Sequence, residues 1–341
     1  LSPCLRYNAR FADTNFSTIA VQYPNGTTVT DIVEADTAYR EVMARLSLYS
    51  SRHLAPPHEN LGDSLADWPR TWLRRKRKAL GLPASHDVGV LGKVVKALRD
   101  RVESRLDIRV ETAVLSFPHL VALYQDDSED IYDYVDIRQM LLSHNIGYFR
   151  PVMWETAVLY AGHGHGICPD YRNWTTCRAY LRNVTEQDIF AAHYSRNALT
   201  TSLAVMATAT ALWEPDYRRT EDFSLGYSAR LGYSSEAAYW DDVSVSLRKM
   251  MVTNPRFPKP TTIFLTGDMV EDPTFQKVLV TAMASLMDPV PEIVMSDHIF
   301  APAKGAMEFA KRAAWNRLHP PPARNDSEAV TTEIVRLRLR D

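Results

Sequence analysis

The sequence lacks an excess charge of either sign, a long apolar run and a stock of cysteines. Its 39 Lys and Arg nearly balance its 41 Asp and Glu. That leaves no basic footprint for a nucleic-acid partner. No stretch reaches the eighteen or so apolar residues of a membrane span. The most apolar run, Leu203 to Trp213, is too short for one and predicts a buried element. Only three cysteines are present and no Cys-x-x-Cys pair, which excludes the common zinc sites. A Gly-x-Ser-x-Gly elbow is missing, so Ser116 with His119, and Ser195 with His193, have no hydrolase context. No repeat occurs at a solenoid period.

What is present is globular. With 45% hydrophobic and 23% charged residues, the chain lies far from the composition of disorder. Its 341 residues predict two domains or two lobes of one. It opens Leu1-Ser2-Pro3 without Met, which predicts a processed or trimmed chain whose signal peptide is already gone.

Five Asn-x-Ser/Thr sequons occur, at Asn15, Asn25, Asn173, Asn183 and Asn325, none with a central Pro. Chance gives roughly one or two in such a chain. The excess predicts N-linked glycans and exposed backbone at those positions. Cys168 and Cys177 enclose a short polar loop that carries one of the sequons. Together these features predict a disulfide hairpin in an oxidising compartment, hence secretion. Cys4 is left over as a buried thiol, a free thiol or a link to another chain.

Along the chain, Thr18–Tyr23 and Thr27–Val33 read as a hairpin about Pro24-Asn25-Gly26. Residues 36–50 read as helical. Residues 51–88 read as irregular, with Pro56-Pro57, Trp68-Pro69 and a basic run from Arg70 to Lys78. That run reads first as a solvated face, with a processing site or an anionic-partner patch as the alternatives. Apolar residues from Val90 to Leu106 recur at helical spacing. Further expectations are a strand at Thr112–Phe117, a helix about Ile131–His144, a strand at Tyr148–Val152 and a helix at Glu155–Ala161. A second hairpin is expected at Ile189–Tyr194 and Leu199–Met206. Later come a helix ending at Met251, a strand at Thr262–Thr266, a helix at Pro273–Leu286 and a helix at Ala303–Ala314. The alternation predicts α/β layering. Residues 1–160 read as a first lobe, 161–318 as a second and 319–341 as a loosely held tail.

Four segments carry a resemblance. Thr112–Pro118 follows an amphipathic helix. Trp154–Gly162 lies some thirty residues on. Then come Ile263-Phe264-Leu265-Thr266-Gly267-Asp268 with Pro273 and Gln276, and Ala303-Lys304-Gly305-Ala306. In order and spacing these resemble the ATPase domain of the seventy-kilodalton heat-shock chaperones, within the actin-like ATPase superfamily. The stretch Arg196–Leu203 is similar to a secreted fungal branch with degenerate phosphate motifs. The resemblance implies a two-lobed, ribonuclease-H-like fold closing over ATP and Mg²⁺. Residues 204–262 are short for that family, which implies a reduced second-lobe subdomain.

The family grips phosphate with backbone N–H groups in two glycine-rich turns, where side chains would block the approach. In the first turn, Phe11 stands where the family has its metal-side Asp, and Asp13 stands for the glycine, beside Thr14 and Asn15. A carboxylate about 4 Å from phosphate costs roughly 4 kcal/mol at an effective dielectric of 20. In the second turn, His193 replaces the Asp, and Ser195, Arg196 and Asn197 replace the glycines. Gly267 alone remains of the adenosine motif's pair, followed by Asp268. A glycan on Asn15 would also keep the first turn open.

These departures predict a degenerate cleft with no cofactor and a non-catalytic binding or structural role. One alternative is a divergent phosphohydrolase that binds a nucleotide or another anion through Arg196. Another is a secreted assembly or host-interaction factor. Glu155 matches the family's carboxylate near the attacking water and also reads as a helix N-terminal acid. His163 and His165, with Cys168 nearby, are weak metal candidates. Trp213, Tyr217, Phe223, Tyr227, Tyr233, Tyr239 and Trp240 form either packing or a platform for a protein, peptide or carbohydrate partner.

Overall fold

The computed structural model describes residues 7–12, 15–140, 152–209, 217–253 and 258–319. Cys4, Asp13, Thr14, Trp213 and Asn325 lie outside the described residues, as do the 148–151 part of one expected strand and the 141–144 part of one expected helix.

Two sheets organise the chain. The first contains β1 (Tyr7–Ala12), β2 (Phe16–Gln22), β3 (Thr28–Glu34), β4 (Thr112–Phe117), β5 (Arg138–Gln139) and β6 (Met153–Trp154). Its order is β3-β2-β1-β4-β5, with β6 also on β4. The second contains β7 (Gln187–Tyr194), β8 (Leu199–Met206), β9 (Tyr217–Asp222), β10 (Thr262–Thr266) and β11 (Glu292–Val294), in the order β11-β10-β7-β8-β9. Each sheet starts with a three-stranded antiparallel meander and continues with parallel strands off the first of the three. The same topology thus occurs twice. The chain has a two-sheet α/β fold in which one strand order is repeated.

The helices fill the layers. The first half carries α1 (Thr37–Leu46), α2 (Leu61–Ala79), α3 (His86–Leu106), α4 (Gln125–Tyr134) and α5 (Glu155–Gly162). The second carries α6 (Trp174–Asn183), α7 (Glu236–Thr253), α8 (Pro273–Ala284) and α9 (Ala301–Leu318). β2 is buried on both faces because Ile19 and Val21 pack on Leu98 and Val102 of α3, whereas Ala20 joins the α5–α9 cluster. β7 is divided likewise. Ile189 and Ala191 face α5 and α9, and Phe190, Ala192 and Tyr194 face α7 and α8.

α5 and α9 form the middle layer between the sheets. Their backbones touch at two glycines. A Cβ on Gly305 would stand 1.7 Å from the carbonyl oxygen of Val158, and one on Gly162 would stand 2.1 Å from that of Ala301. Any larger residue would separate the helices.

The structure corrects three expectations. Residues 61–79, expected to be irregular, are helical, with Asn60 capping through its bond from the Asp63 N–H. Pro69 sits inside and forfeits one ladder bond, yet tertiary pairing described below holds the helix. The helix expected over Ile131–His144 instead runs Gln125–Tyr134 and is followed by β5. Residues 174–177 belong to α6, with Asn173 as its N-cap, where a hairpin loop was expected. β9 and β11 carried no clear sequence signal.

Candidate functional site

The cleft between the lobes collects strand and turn ends, as parallel α/β sheets do. β6 pairs with the end of β4, Phe117 opposite Trp154. This places Glu155 at the start of α5, beside the last residues of β7. Glu155 Oε1 lies 3.0 Å from His193 Nδ1, and both side chains are buried.

Around this pair lies a polar layer. Thr156 and Ser202 share a hydroxyl hydrogen bond of 2.7 Å, as do Thr201 and Thr220. Arg219 donates to His119 and pairs with Glu221 at 3.1 Å. His119 stacks on Trp154 with ring centroids 4.0 Å apart. Burial pushes the Glu221 carboxyl up to about 7, against the pull of Arg219. The cavity among these residues is only about 20 Å³, room for about one water.

The second turn is closed on itself. The Ser195 hydroxyl accepts from the Asn197 and Ala198 N–H groups at 3.3 and 3.2 Å. The Arg196 N–H donates to Asp268 Oδ1 at 3.1 Å, and the Ser195 N–H donates to the Ala198 carbonyl. Tyr227 and Ser228 donate their N–H groups to the carbonyls of Ser195 and Arg196. Gly226 permits this approach, since a Cβ there would stand 2.2 Å from the Asn197 carbonyl carbon. Gly267 has φ +110°, and a Cβ there would lie 2.2 Å from the Tyr194 carbonyl oxygen.

Asp268 links the turns across the cleft. It accepts from Asn15 Nδ2 at 3.1 Å and pairs with Arg196 Nε at 3.2 Å. Asn197 Nδ2 donates to Asn15 Oδ1 at 2.7 Å. Asn15 is therefore only 9% exposed, and the nitrogen that would carry a glycan is engaged inside the cleft. A glycan at Asn15 would require this side chain to leave both partners. Asn25, Asn173 and Asn183 are exposed. Asn173 also caps α6 through its side-chain oxygen, accepting from Thr175 and Thr176.

The remaining candidates fall elsewhere. Cys168 and Cys177 form a disulfide with Cα atoms 5.3 Å apart, so Cys168 is not a thiolate ligand. His163 and His165 pack on Phe264, with centroids 5.2 and 5.6 Å away. Burial and the neighbouring His165 hold His163 below its ordinary value. Tyr239 and Trp240 are core residues, Tyr239 bonding Tyr194 through their hydroxyls at 2.8 Å. They are packing, as one of the two readings had it. Sequence reasoning did not find Arg219, Glu221 or Gly226, and no local pattern marks them.

ATP·Mg²⁺ asks for open backbone donors and a carboxylate-held cation. Among the described residues, the N–H groups of Arg196, Asn197 and Ala198 already have acceptors. His193, near the end of β7, is paired with Glu155. The residues present do not fit that group.

No protein-family model matches the chain. No curated protein matches it by sequence. Among solved structures, the ethanolamine utilization protein EutJ from Carboxydothermus hydrogenoformans is similar to it, with a TM-score of 0.47 and 8% identity over 90% of each chain. No described helix is long and apolar enough to cross a membrane.

Proposed function

We propose that this chain is a secreted glycoprotein that uses the actin-like fold as a rigid, non-catalytic binding or structural unit. The observation that carries the reading is the closed second turn. The N–H groups from Arg196 to Ala198 are consumed by Ser195 and Asp268. A phosphate would have to break three protein hydrogen bonds to take them, each worth about 1 kcal/mol net. The Glu155–His193 pair supports the same reading, because the buried carboxylate is already in contact with a protein side chain. The heat-shock-chaperone likeness of the sequence belongs to this proposal as the ancestry of the scaffold.

Secretion is supported by the Cys168–Cys177 disulfide and by exposed sequons at Asn25, Asn173 and Asn183. The test is thermal melting with ATP·Mg²⁺ and with Mg²⁺ alone. We expect superimposable curves. A rise of several degrees with ATP·Mg²⁺ only overturns the non-catalytic reading. On native material, enzymatic deglycosylation should lower the mass, and no shift overturns the secreted-glycoprotein part.

A further inference from the structure

Helix α2 is turned inside out. Its inward face is charged. Arg74 bonds Asp127 and Asp130 of α4, each at 2.8 Å. Arg70 pairs with Asp126 at 2.7 Å and with Asp67 of its own helix. Lys78 reaches Asp130 and Asp133. Its outward face is apolar. Leu61, Leu65, Trp68 and Trp72 follow one another at spacings of four, three and four, a single helical stripe. They are 75, 65, 59 and 46% exposed. Leu73 and Leu80 are exposed as well, roughly a quarter turn off the stripe. An ordinary surface helix buries its apolar side, and a contiguous apolar patch of this kind marks an interaction site.

The charges near the stripe have one sign. Arg75 and Lys76 sit at its edges, and neither pairs with a carboxylate among the described residues. Lys76 Nζ lies 5.6 Å from the Trp72 ring centroid. The helix's own acids lie off the stripe. Asp67 is buried under Arg70, and Asp63 accepts from Asn60. The aspartates of α4 named above are drawn to the inward cations. A second copy of this chain would bring the stripe more cations and no carboxylate. An anionic bilayer brings phosphate to the cations and an acyl boundary to the tryptophans and leucines.

We propose that the outer face of α2 is a docking site for an anionic lipid membrane surface. The helix lies in the interface plane. Trp68, Trp72, Leu61 and Leu65 enter the headgroup–acyl boundary, and Arg75 and Lys76 meet lipid phosphates. This site is separate from the inter-lobe cleft and does not depend on its reading.

The test is co-sedimentation of the full chain with phosphatidylcholine vesicles, with and without roughly one part in three phosphatidylserine. Binding is expected with phosphatidylserine and should weaken as salt rises. The W68S/W72S variant should lose at least tenfold in partitioning, and R75E/K76E roughly fivefold per cation. All of these side chains are exposed, so melting should stay at the wild-type value. If W68S/W72S melts early, L61S/L65S gives the same reading. Absence of binding at low salt overturns the proposal, as does binding that both stripe variants retain. A concentration-dependent dimer that L65E dissociates, with no vesicle binding, assigns the stripe to a second copy and also overturns it.

Discussion

Glu155 and His193 meet at 3.0 Å in the gap between the sheets, one from the first turn of α5 and one from the end of β7. Both side chains are nearly free of solvent. Removing one member of such a pair leaves the other buried without its counterpart. His193→Ala should destabilise the fold by about 3 kcal/mol, read as a lower urea midpoint at an unchanged m-value. Glu155→Gln should cost less, because the amide fills the same space and leaves no carboxylate buried beside His193. If His193→Ala leaves the midpoint in place, the pair contributes nothing to stability.

The closed turn depends on one serine and one glycine. Ser195→Ala removes the acceptor of two N–H groups and should cost about 1–2 kcal/mol. Gly226→Ala pushes a methyl into the backbone at Asn197 and should cost about 3 kcal/mol. Gly232→Ala is the control. Nothing lies within 4 Å of its added carbon, and the change should stay within about 0.5 kcal/mol. Equal effects for the two alanines would show that the close approach at Gly226 does not matter.

Glu221 gives the polar layer a pH dependence. Burial pushes its carboxyl up to about 7 from an ordinary value of 4.5, while Arg219 pulls it down. The folded state thus holds the proton more tightly than the unfolded chain. Its stabilising contribution is complete below about pH 4.5 and is lost as pH rises through about 7, on the order of 3 kcal/mol. The midpoint difference between wild type and Glu221→Gln should therefore shift against wild type from pH 4.5 to 8. A constant difference across that range would contradict the raised value.

The α2–α4 contact separates paired from unpaired cations. Arg74 is buried among Asp126, Asp127 and Asp130. Burial also raises the Asp127 carboxyl above its ordinary value. Arg74→Ala should cost about 3–5 kcal/mol, whereas Arg75→Ala, one position along, should change stability by no more than about 0.5 kcal/mol. Chemical denaturation of both variants decides it, and similar losses would mean that the buried network is no stronger than a surface charge.

Much of the fold was legible locally. β4 begins and ends where Thr112 and Phe117 placed it, and β8 spans Leu199–Met206 as expected. Period-two and period-3.6 patterns, Pro118 and the Asn25-Gly26 turn are properties of neighbouring residues. The Cys168–Cys177 link was equally accessible, because nine positions separate the two. The turn at Ser195, Arg196 and Asn197 was also placed correctly, between two strands.

Tertiary structure alone decided what that turn meets. Asn15 and Asp268 lie 253 positions apart, and no periodicity connects them. A sequon reads the same whether its amide points to water or into a cleft. Arg219 and Glu221 enter the polar layer only because β9 pairs with β8. The basic run of α2 shows most plainly why. In the chain it reads as a solvated face. In the fold, Arg70, Arg74 and Lys78 turn inward because α4 supplies the aspartates, and the apolar residues are left outside. Helical spacing is fixed by the chain, but which side of a helix is covered depends on the charges of the element packed against it.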